Sequence, residues 1–264
     1  MRVAICGIAG QMGRAVLKQV LDKNYTLQAC FDTNQNFVGQ KVGELIGDNT
    51  LTTTITTLEK ADLSQVDGII DFSLPGATNQ LLVLAKKFNK PVVIGTTGFT
   101  SSEEKMIAET AKKIPILFSA NMSLGVNLLF KLTKIATELL DESYDLEILE
   151  AHHRRKKDSP SGTAKKLIQI LKQNRPALTK DSEKNGRFGN DLTRTSEEIG
   201  VMALRGGDVV GEHTVFFLGQ GERIELTHRA SDRTVFAKGA LPGLEFLLKQ
   251  KPGLYSMADV LGFN

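Results

Sequence analysis

The sequence predicts an α/β chain: a doubly wound parallel sheet of the Rossmann type, followed by a second, α+β domain on a mixed or antiparallel sheet. Three observations carry this. Short apolar runs alternate with helix-period segments from Arg2 to Phe118, the pattern of repeated βα units. The first run opens directly into a glycine turn. Beyond residue 145 the runs alternate polar and apolar residues and are joined by Gly-containing turns, as in half-exposed strands.

Arg2–Cys6 is the first strand. It leads into Gly7-Ile8-Ala9-Gly10-Gln11-Met12-Gly13, and Val16, Leu17, Val20 and Leu21 then mark one side of a helix. A glycine after the strand permits the tight turn, Gly10 lets backbone approach a pyrophosphate, and Gly13 lets the helix lie close to the sheet. The spacing is G-x-x-G-x-x-G rather than the commoner G-x-G-x-x-G. A second strand, Thr26–Phe31, ends at Asp32, roughly 20 residues after the glycines, where an acid meets the ribose hydroxyls of a dinucleotide. Leu51–Ile55 and Gly68–Phe72 read as strands, Ala77–Phe88 as a helix and Pro91–Gly95 as a buried strand. Ser101-Ser-Glu-Glu104 fits a capping box at the start of a helix running to about Lys113. Ile114–Phe118 is the next strand. The turns at Gly7–Gly13, Ser73–Gly76, Gly95–Gly98 and Ser119–Ser123 then share the carboxyl edge of the sheet, where ligands of such folds lie.

Leu128–Leu140 is an amphipathic helix, Asp145–His152 an alternating strand, and Thr163–Asn174 a helix. Residues 174–196 read as a polar, irregular surface connection. Ile199–Leu204, His213–Leu218 and Arg223–His228 read as strands, and Val235–Leu248 as a final helix returning to the first domain, closing with 255–261. The expected division is 1–123 plus 233–264 against 124–232, hinged near 121–127 and 229–234.

With 33 Lys and Arg against 30 Asp and Glu, the net charge is +3, which argues against a dedicated nucleic-acid binder. Cys6 and Cys30 lie in apolar runs and read as buried thiols of a reducing compartment. Neither these nor the four histidines have metal-ligand spacing, and no metal is expected. The chain starts in a strand without a signal peptide, and no apolar run approaches membrane-spanning length, so a soluble cytoplasmic protein is expected.

The most chemically loaded stretch is Glu150-Ala-His152-His153-Arg-Arg-Lys156-Lys-Asp158-Ser-Pro-Ser161-Gly162-Thr163-Ala164. Adjacent histidines at a strand end face opposite ways. An imidazole suits proton transfer near neutral pH, and the Ser-Gly-Thr helix start offers N–H groups to an anion. Such a site can bind an anion and hand it a proton. A solvated basic loop, or a dinucleotide-sensing regulator that binds nucleic acid through this loop, are the alternatives that the residues by themselves leave open.

This stretch resembles the signature of the 4-hydroxy-tetrahydrodipicolinate reductase (dihydrodipicolinate reductase) family. The resemblance continues through Gly7–Arg14, Ile70–Phe72, Ile94–Phe99, Ser119–Asn127 and Gly211–Thr214. It implies an N-terminal nicotinamide domain, a C-terminal domain for substrate and homotetramer contacts, and NADH- or NADPH-dependent reduction of a cyclic imine dicarboxylate to tetrahydrodipicolinate in lysine and diaminopimelate biosynthesis. By position it implies His152 as proton donor and Lys156 as its cationic partner, with His153, Gly162 and Thr163 contacting substrate. Gly7, Ile8, Ala9, Gly10, Gln11, Met12, Asp32, Gly95, Thr96, Thr97, Ser119, Ala120, Asn121 and Met122 are implied as cofactor contacts. Another nicotinamide-linked oxidoreductase of small dicarboxylates is the near alternative. In one respect the chain departs from the family: Thr33-Asn34-Gln35 follows Asp32, where many members carry a cation for the NADPH 2′-phosphate. NADH is therefore expected to serve at least as well as NADPH. Closure about the hinges is expected to bring substrate and nicotinamide together.

Overall fold

In the computed structural model, which describes residues 1–263, the chain divides into two compact units, Met1–Leu124 with Thr234 onward, and Gly125–Arg233. The first is built on seven strands: β1 (Arg2–Cys6), β2 (Thr26–Phe31), β3 (Ile55–Thr56), β4 (Gly68–Asp71), β5 (Val92–Ile94), β6 (Pro115–Phe118) and β12 (Gly253–Tyr255). Their order is β12-β6-β5-β4-β1-β2-β3 and every pairing is parallel. Helices α1 (Gln11–Asp22), α2 (Pro75–Lys87), α3 (Ser101–Ala111), α6 (Thr234–Lys238), α7 (Ala240–Leu247) and α8 (Met257–Val260) belong to the same unit.

Strand alternation sorts its core into two layers. Val3 and Ile5 of β1 meet Val16, Leu17 and Val20 of α1 and Leu241, Leu244 and Leu247 of α7. Ala4 and Cys6 point the other way, into a layer with Leu81, Leu82 and Ala85 of α2 and Ile107 and Ala111 of α3. Both faces of the sheet are covered, which is why its strands are continuous apolar runs. The chain crosses from one side of β1 to the other between β2 and β4, so β1 and β4 flank a topological switch point.

The second unit carries α4 (Leu124–Leu139, which begins at the boundary), β7 (Asp145–His152), α5 (Gly162–Asn174), β8 (Glu183–Asn185), β9 (Ile199–Arg205), β10 (Gly211–Leu218) and β11 (Arg223–Ala230). The sheet order is β11-β10-β7-β9-β8. The sheet is mixed: β10 is antiparallel to β11 and β7, while β9 is parallel to β7 and β8. Leu146 and Ile148 of β7, Val215 and Phe217 of β10, and Leu167, Ile168 and Leu171 of α5 share one core.

The structure differs from the sequence reading at several points. The capping box of α3 is Thr100 with Glu103, one residue earlier than expected, because the Thr100 hydroxyl accepts from Glu103 N while the Glu103 carboxylate accepts from Thr100 N. The strand expected at Leu51–Ile55 shrinks to Ile55–Thr56. The irregular segment 174–196 contains β8, and the expected final helix is two helices broken at Gly239. No helix of the described residues is long and apolar enough to cross a membrane.

Candidate active site

In the first unit, the loops after β1, β2 and β4 enclose a cleft of about 510 Å³. It is lined by Gly7, Ala9, Gly10, Asp32, Thr33, Asn34, Gln35 and Phe37, with Phe72, Ser73 and Leu74 opposite. Gly7 has φ +79°, and a Cβ there would lie 2.2 Å from Phe72 O. A Cβ on Gly13 would lie 2.1 Å from Gly7 O, so this glycine sets how closely α1 approaches the turn. Gly10 caps α1 without a side chain. Asp32 Oδ2 accepts from Ala9 N at 2.8 Å and Oδ1 from Asn34 N at 2.9 Å, so the carboxylate braces the glycine turn it faces. Arg14 donates from Nε to Ala9 O at 3.1 Å and lays its guanidinium 5.8 Å from the Phe37 ring centroid. These residues fit a dinucleotide: a tight turn bare of side chains, a helix N-terminus and an acid lie together at a switch point.

The remaining sequence-derived cofactor positions fall in three groups. Ile8 and Met122 bury their side chains in the core, leaving only main chain to a ligand, and Met12 rests partly buried against the same core. Gln11, Thr97 and Ala120 are exposed. Thr96 is buried, accepting from Ser73 N at 2.8 Å and donating to Asp71 Oδ2 at 3.0 Å. Gly95 lies against Phe72, whose Cε1 would be 2.1 Å from a Cβ. Ser119 donates to Asn121 O at 2.9 Å, and Asn121 Oδ1 accepts from Ser123 N. Asp71, which sequence reasoning passed over, is fully buried and also accepts from the Ser73 and Thr78 hydroxyls at 2.5 Å. Burial raises its pKa even against these hydrogen bonds.

In the second unit, period two puts Leu146, Ile148, Glu150 and His152 on the buried face of β7. Register places His213 of β10 opposite Glu150, and Arg205 of β9 opposite His152. Glu150, fully buried, becomes the hub. Its Oε1 accepts from Ser161 N at 3.0 Å and Arg205 Nη2 at 2.9 Å, and its Oε2 lies 2.9 Å from His152 Nδ1. Burial works to raise the Glu150 pKa, but these contacts outweigh it and hold the carboxyl well below the usual range. Ser161 caps α5 by accepting from Ala164 N at 3.2 Å, and its Oγ is 2.9 Å from His213 Nε2. The rings of His152 and His213 meet edge to face, centroids 5.1 Å apart. Burial foremost, with the charge of His152, pushes the His213 pKa down to about 3.

Lys156 pairs its Nζ with Asp158 Oδ1 at 2.9 Å, and its charge bears on both His153 and His213. Asp158 is thus the ion partner of Lys156. His153 is half-buried, with its pKa lowered by burial and then by Arg233 and Arg155. Gly162 and Thr163 are the first two residues of α5, Gly162 exposed. Arg154, Arg155 and Lys157 are exposed.

Glu150, His152 and His213 offer three possible ligand atoms within 4.8 Å of one another, a grouping hidden in the sequence because β7 and β10 are far apart along the chain. Arg205 and Ser161 already balance the Glu150 charge, and the 2.9 Å approach of His152 is a hydrogen-bonding separation rather than one imposed by an ion. Sequence reasoning gave Glu150 and Arg205 no role, and read Ser161 only as part of an anion-binding turn. Period two could have placed Glu150 beside His152, whereas Arg205 and His213 required the strand register.

Comparison with known proteins agrees across the whole length. Residues 1–122 match the model for "Dihydrodipicolinate reductase, N-terminus" and residues 125–261 that for the C-terminus. The chain is 47% identical to 4-hydroxy-tetrahydrodipicolinate reductase of Aquifex aeolicus over 99% of its own length and 98% of that protein's. It is 43% identical to the enzyme of the same name from Aromatoleum aromaticum, over 100% and 96%. Among solved structures, dipicolinate-bound dihydrodipicolinate reductase from Paenisporosarcina sp. TG-14 superposes with a TM-score of 0.77 at 25% identity, covering 97% of each chain. An amine dehydrogenase from Mycobacterium smegmatis shares the fold, with a TM-score of 0.62 at 12% identity.

Proposed function

The chain belongs to the dihydrodipicolinate reductase family, and from that premise we propose that His152 is the proton donor and Lys156 its cationic partner in the nicotinamide-linked reduction of a cyclic imine dicarboxylate. The reaction class is that of an NAD(P)H-dependent oxidoreductase of lysine and diaminopimelate biosynthesis. Reduced nicotinamide, when bound, supplies a hydride. Gly7–Met12 and Asp32 would hold the dinucleotide, with Gly95–Thr97 and Ser119–Met122 on the same strand-end edge.

The chain's own residues supply the rest. A hydride added to the conjugated substrate ring leaves an electron pair that takes up one proton, and His152 gives it. Lys156 sets a point charge against a substrate carboxylate and against the charge that develops. Gly162 and Thr163, at the α5 N-terminus, meet the other carboxylate, and the helix dipole assists. His153 lies on the same loop and contributes a further substrate contact. The observation that carries the reading is the buried Glu150–His152 contact at 2.9 Å, which holds an imidazole in place at the end of β7, with Lys156 on the loop that follows.

The test is NADH or NADPH consumption that depends on the product of condensing pyruvate with aspartate semialdehyde. Purified protein is expected to turn this over, and His152→Gln to lose about 10²–10⁴-fold in kcat with little change in KM. Unchanged kcat for this variant would remove the assignment. Consumption with other imino or keto diacids but not with this product would move the substrate.

NADH serves at least as well as NADPH in this reading. Asp32 repels a 2′-phosphate, Thr33, Asn34 and Gln35 line the cleft beside it without charge, and Arg14 is engaged with Ala9 O and Phe37. A kcat/KM for NADPH tenfold above that for NADH would contradict it. The same reading makes the protein a cytoplasmic homotetramer, supported by two free, buried cysteines and by the family resemblance. Light scattering of the purified chain checks the assembly.

A further inference from the structure

We propose that Glu150 is a positioning residue: its buried carboxylate takes His152 by Nδ1 and so presents Nε2 as the proton-donating atom. The proposal rests on the reading of His152 as the donor and says how that donor is aimed.

Four observations support it. First, the carboxylate is fixed. Oε1 is held by Ser161 N and by Arg205 Nη2, so Oε2 keeps one orientation, 2.9 Å from His152 Nδ1. Second, competition for Oε2 is low. Ser161 Oγ accepts from Ala164 N and lies 2.9 Å from His213 Nε2, so that nitrogen has a partner other than Oε2. His213 Nε2 is 3.8 Å from Oε2, and burial keeps the ring neutral. Third, Glu150 is fully buried, and a carboxylate in that setting favours a neighbour that carries a proton toward it. Fourth, Gly211 lies over the other side of the ring. A Cβ there would approach His152 Nε2 to 3.2 Å, so the absence of a side chain leaves that nitrogen uncovered.

The consequence is a defined tautomer. In the neutral state the proton sits on Nδ1, facing Oε2. In the charged state Nε2–H is the proton that leaves, and Glu150 stabilises the imidazolium that carries it. The charges around His152 do not all act alike. Asp158 is taken by Lys156, Arg205 pairs with the other oxygen of Glu150, and Glu150 Oε2 is the anionic atom in contact with the ring. Removing its charge therefore takes away the group that holds the ring by Nδ1.

Steady-state kinetics between pH 6 and 10 on wild type, His152→Gln, Glu150→Gln and Glu150→Asp, with ring ¹⁵N NMR of the wild type, test this. Glu150→Gln is expected to lower kcat by tenfold or more and leave KM within about threefold. Glu150→Asp keeps the carboxylate and should recover kcat in part. NMR should find neutral His152 protonated on Nδ1. A Glu150→Gln enzyme within threefold of wild-type kcat overturns the proposal, as does a neutral His152 protonated on Nε2. If Glu150→Gln fails to fold because Arg205 loses its counter-charge, the wild-type NMR result decides alone. Full activity in His152→Gln would instead strike at the donor assignment on which this proposal stands, whatever Glu150 does.

Discussion

At the scale of single residues, Lys156 shows how a site can hold its charge ready. Its side chain is 19% exposed, while its partner Asp158 is 53% exposed. A half-exposed ion pair of this kind is worth about 0–1 kcal/mol, so a substrate carboxylate can displace Asp158 at little cost. Lys156→Ala is expected to reduce kcat and raise KM, each by tenfold or more, because the same ammonium meets ground-state and developing charge. Asp158→Asn should leave kcat within a few-fold. A Lys156→Ala variant with unaltered KM would show that the lysine does not touch the substrate. His152, His153 and Lys156 stood out in the sequence as candidates because their chemistry is rare and their order along the chain is compact. Glu150, Arg205, Ser161 and His213 were not, since what they do depends on which strands pair and in which register. Ser161 even looked like part of an anion nest, whereas its N–H is already given to Glu150 and its hydroxyl to the helix cap and His213.

At the scale of elements, the sequence disclosed the strands and helices with strong periodicity and missed those held by side-chain contacts. Asp145–His152 matched β7 end to end because alternation over eight residues leaves no other reading. The three-residue strands β8, Glu-Lys-Asn, and β12, Gly-Leu-Tyr, have no period to detect. The break between α6 and α7 at Gly239 comes from a distant contact: a Cβ there would stand 1.7 Å from Met122 O. Residues 186–198, which read as an irregular connection, are tied to β7 by two arginines. Arg187 bridges Glu147 and Glu198, and Arg194 reaches Glu147, Asp145 and the carbonyls of Leu146, Thr195 and Glu198. Gly200 makes room for this, since a Cβ would lie 1.8 Å from Glu147 Oε2. Arg194→Ala removes donors from several partly buried acceptors at once and is expected to cost about 2–3 kcal/mol. Limited proteolysis should then cut within 186–198 much faster than in wild type. Equal cleavage rates would mean that β8 and Arg187 hold the segment unaided.

At the scale of the whole molecule, the four histidines all lie in the second unit, at 152, 153, 213 and 228, so mild acid acts on that unit first. Burial lowers the pKa of His153, His213 and His228, with His213 reaching about 3. The sign follows from linkage. Between the folded pKa and the unfolded value near 6.5, the unfolded chain binds more protons than the folded one, so stability falls as pH falls. His213 alone contributes roughly 1.4 kcal/mol per pH unit in that window, or about 2 kcal/mol between pH 6.5 and 5. Glu150, whose folded pKa is depressed, adds its loss only below its ordinary value of 4.5. In the first unit the buried Asp71 acts in the opposite sense: its pKa is raised, so its contribution is present at low pH and is lost as pH rises through the folded value. Hydrogen exchange followed by mass spectrometry should therefore show peptides from 145–230 losing protection between pH 7 and 5, after correction for the intrinsic rate, while those from β1, β4 and β5 keep theirs. His213→Gln should remove most of the pH dependence. Equal loss in both units would place the acid sensitivity outside these histidines.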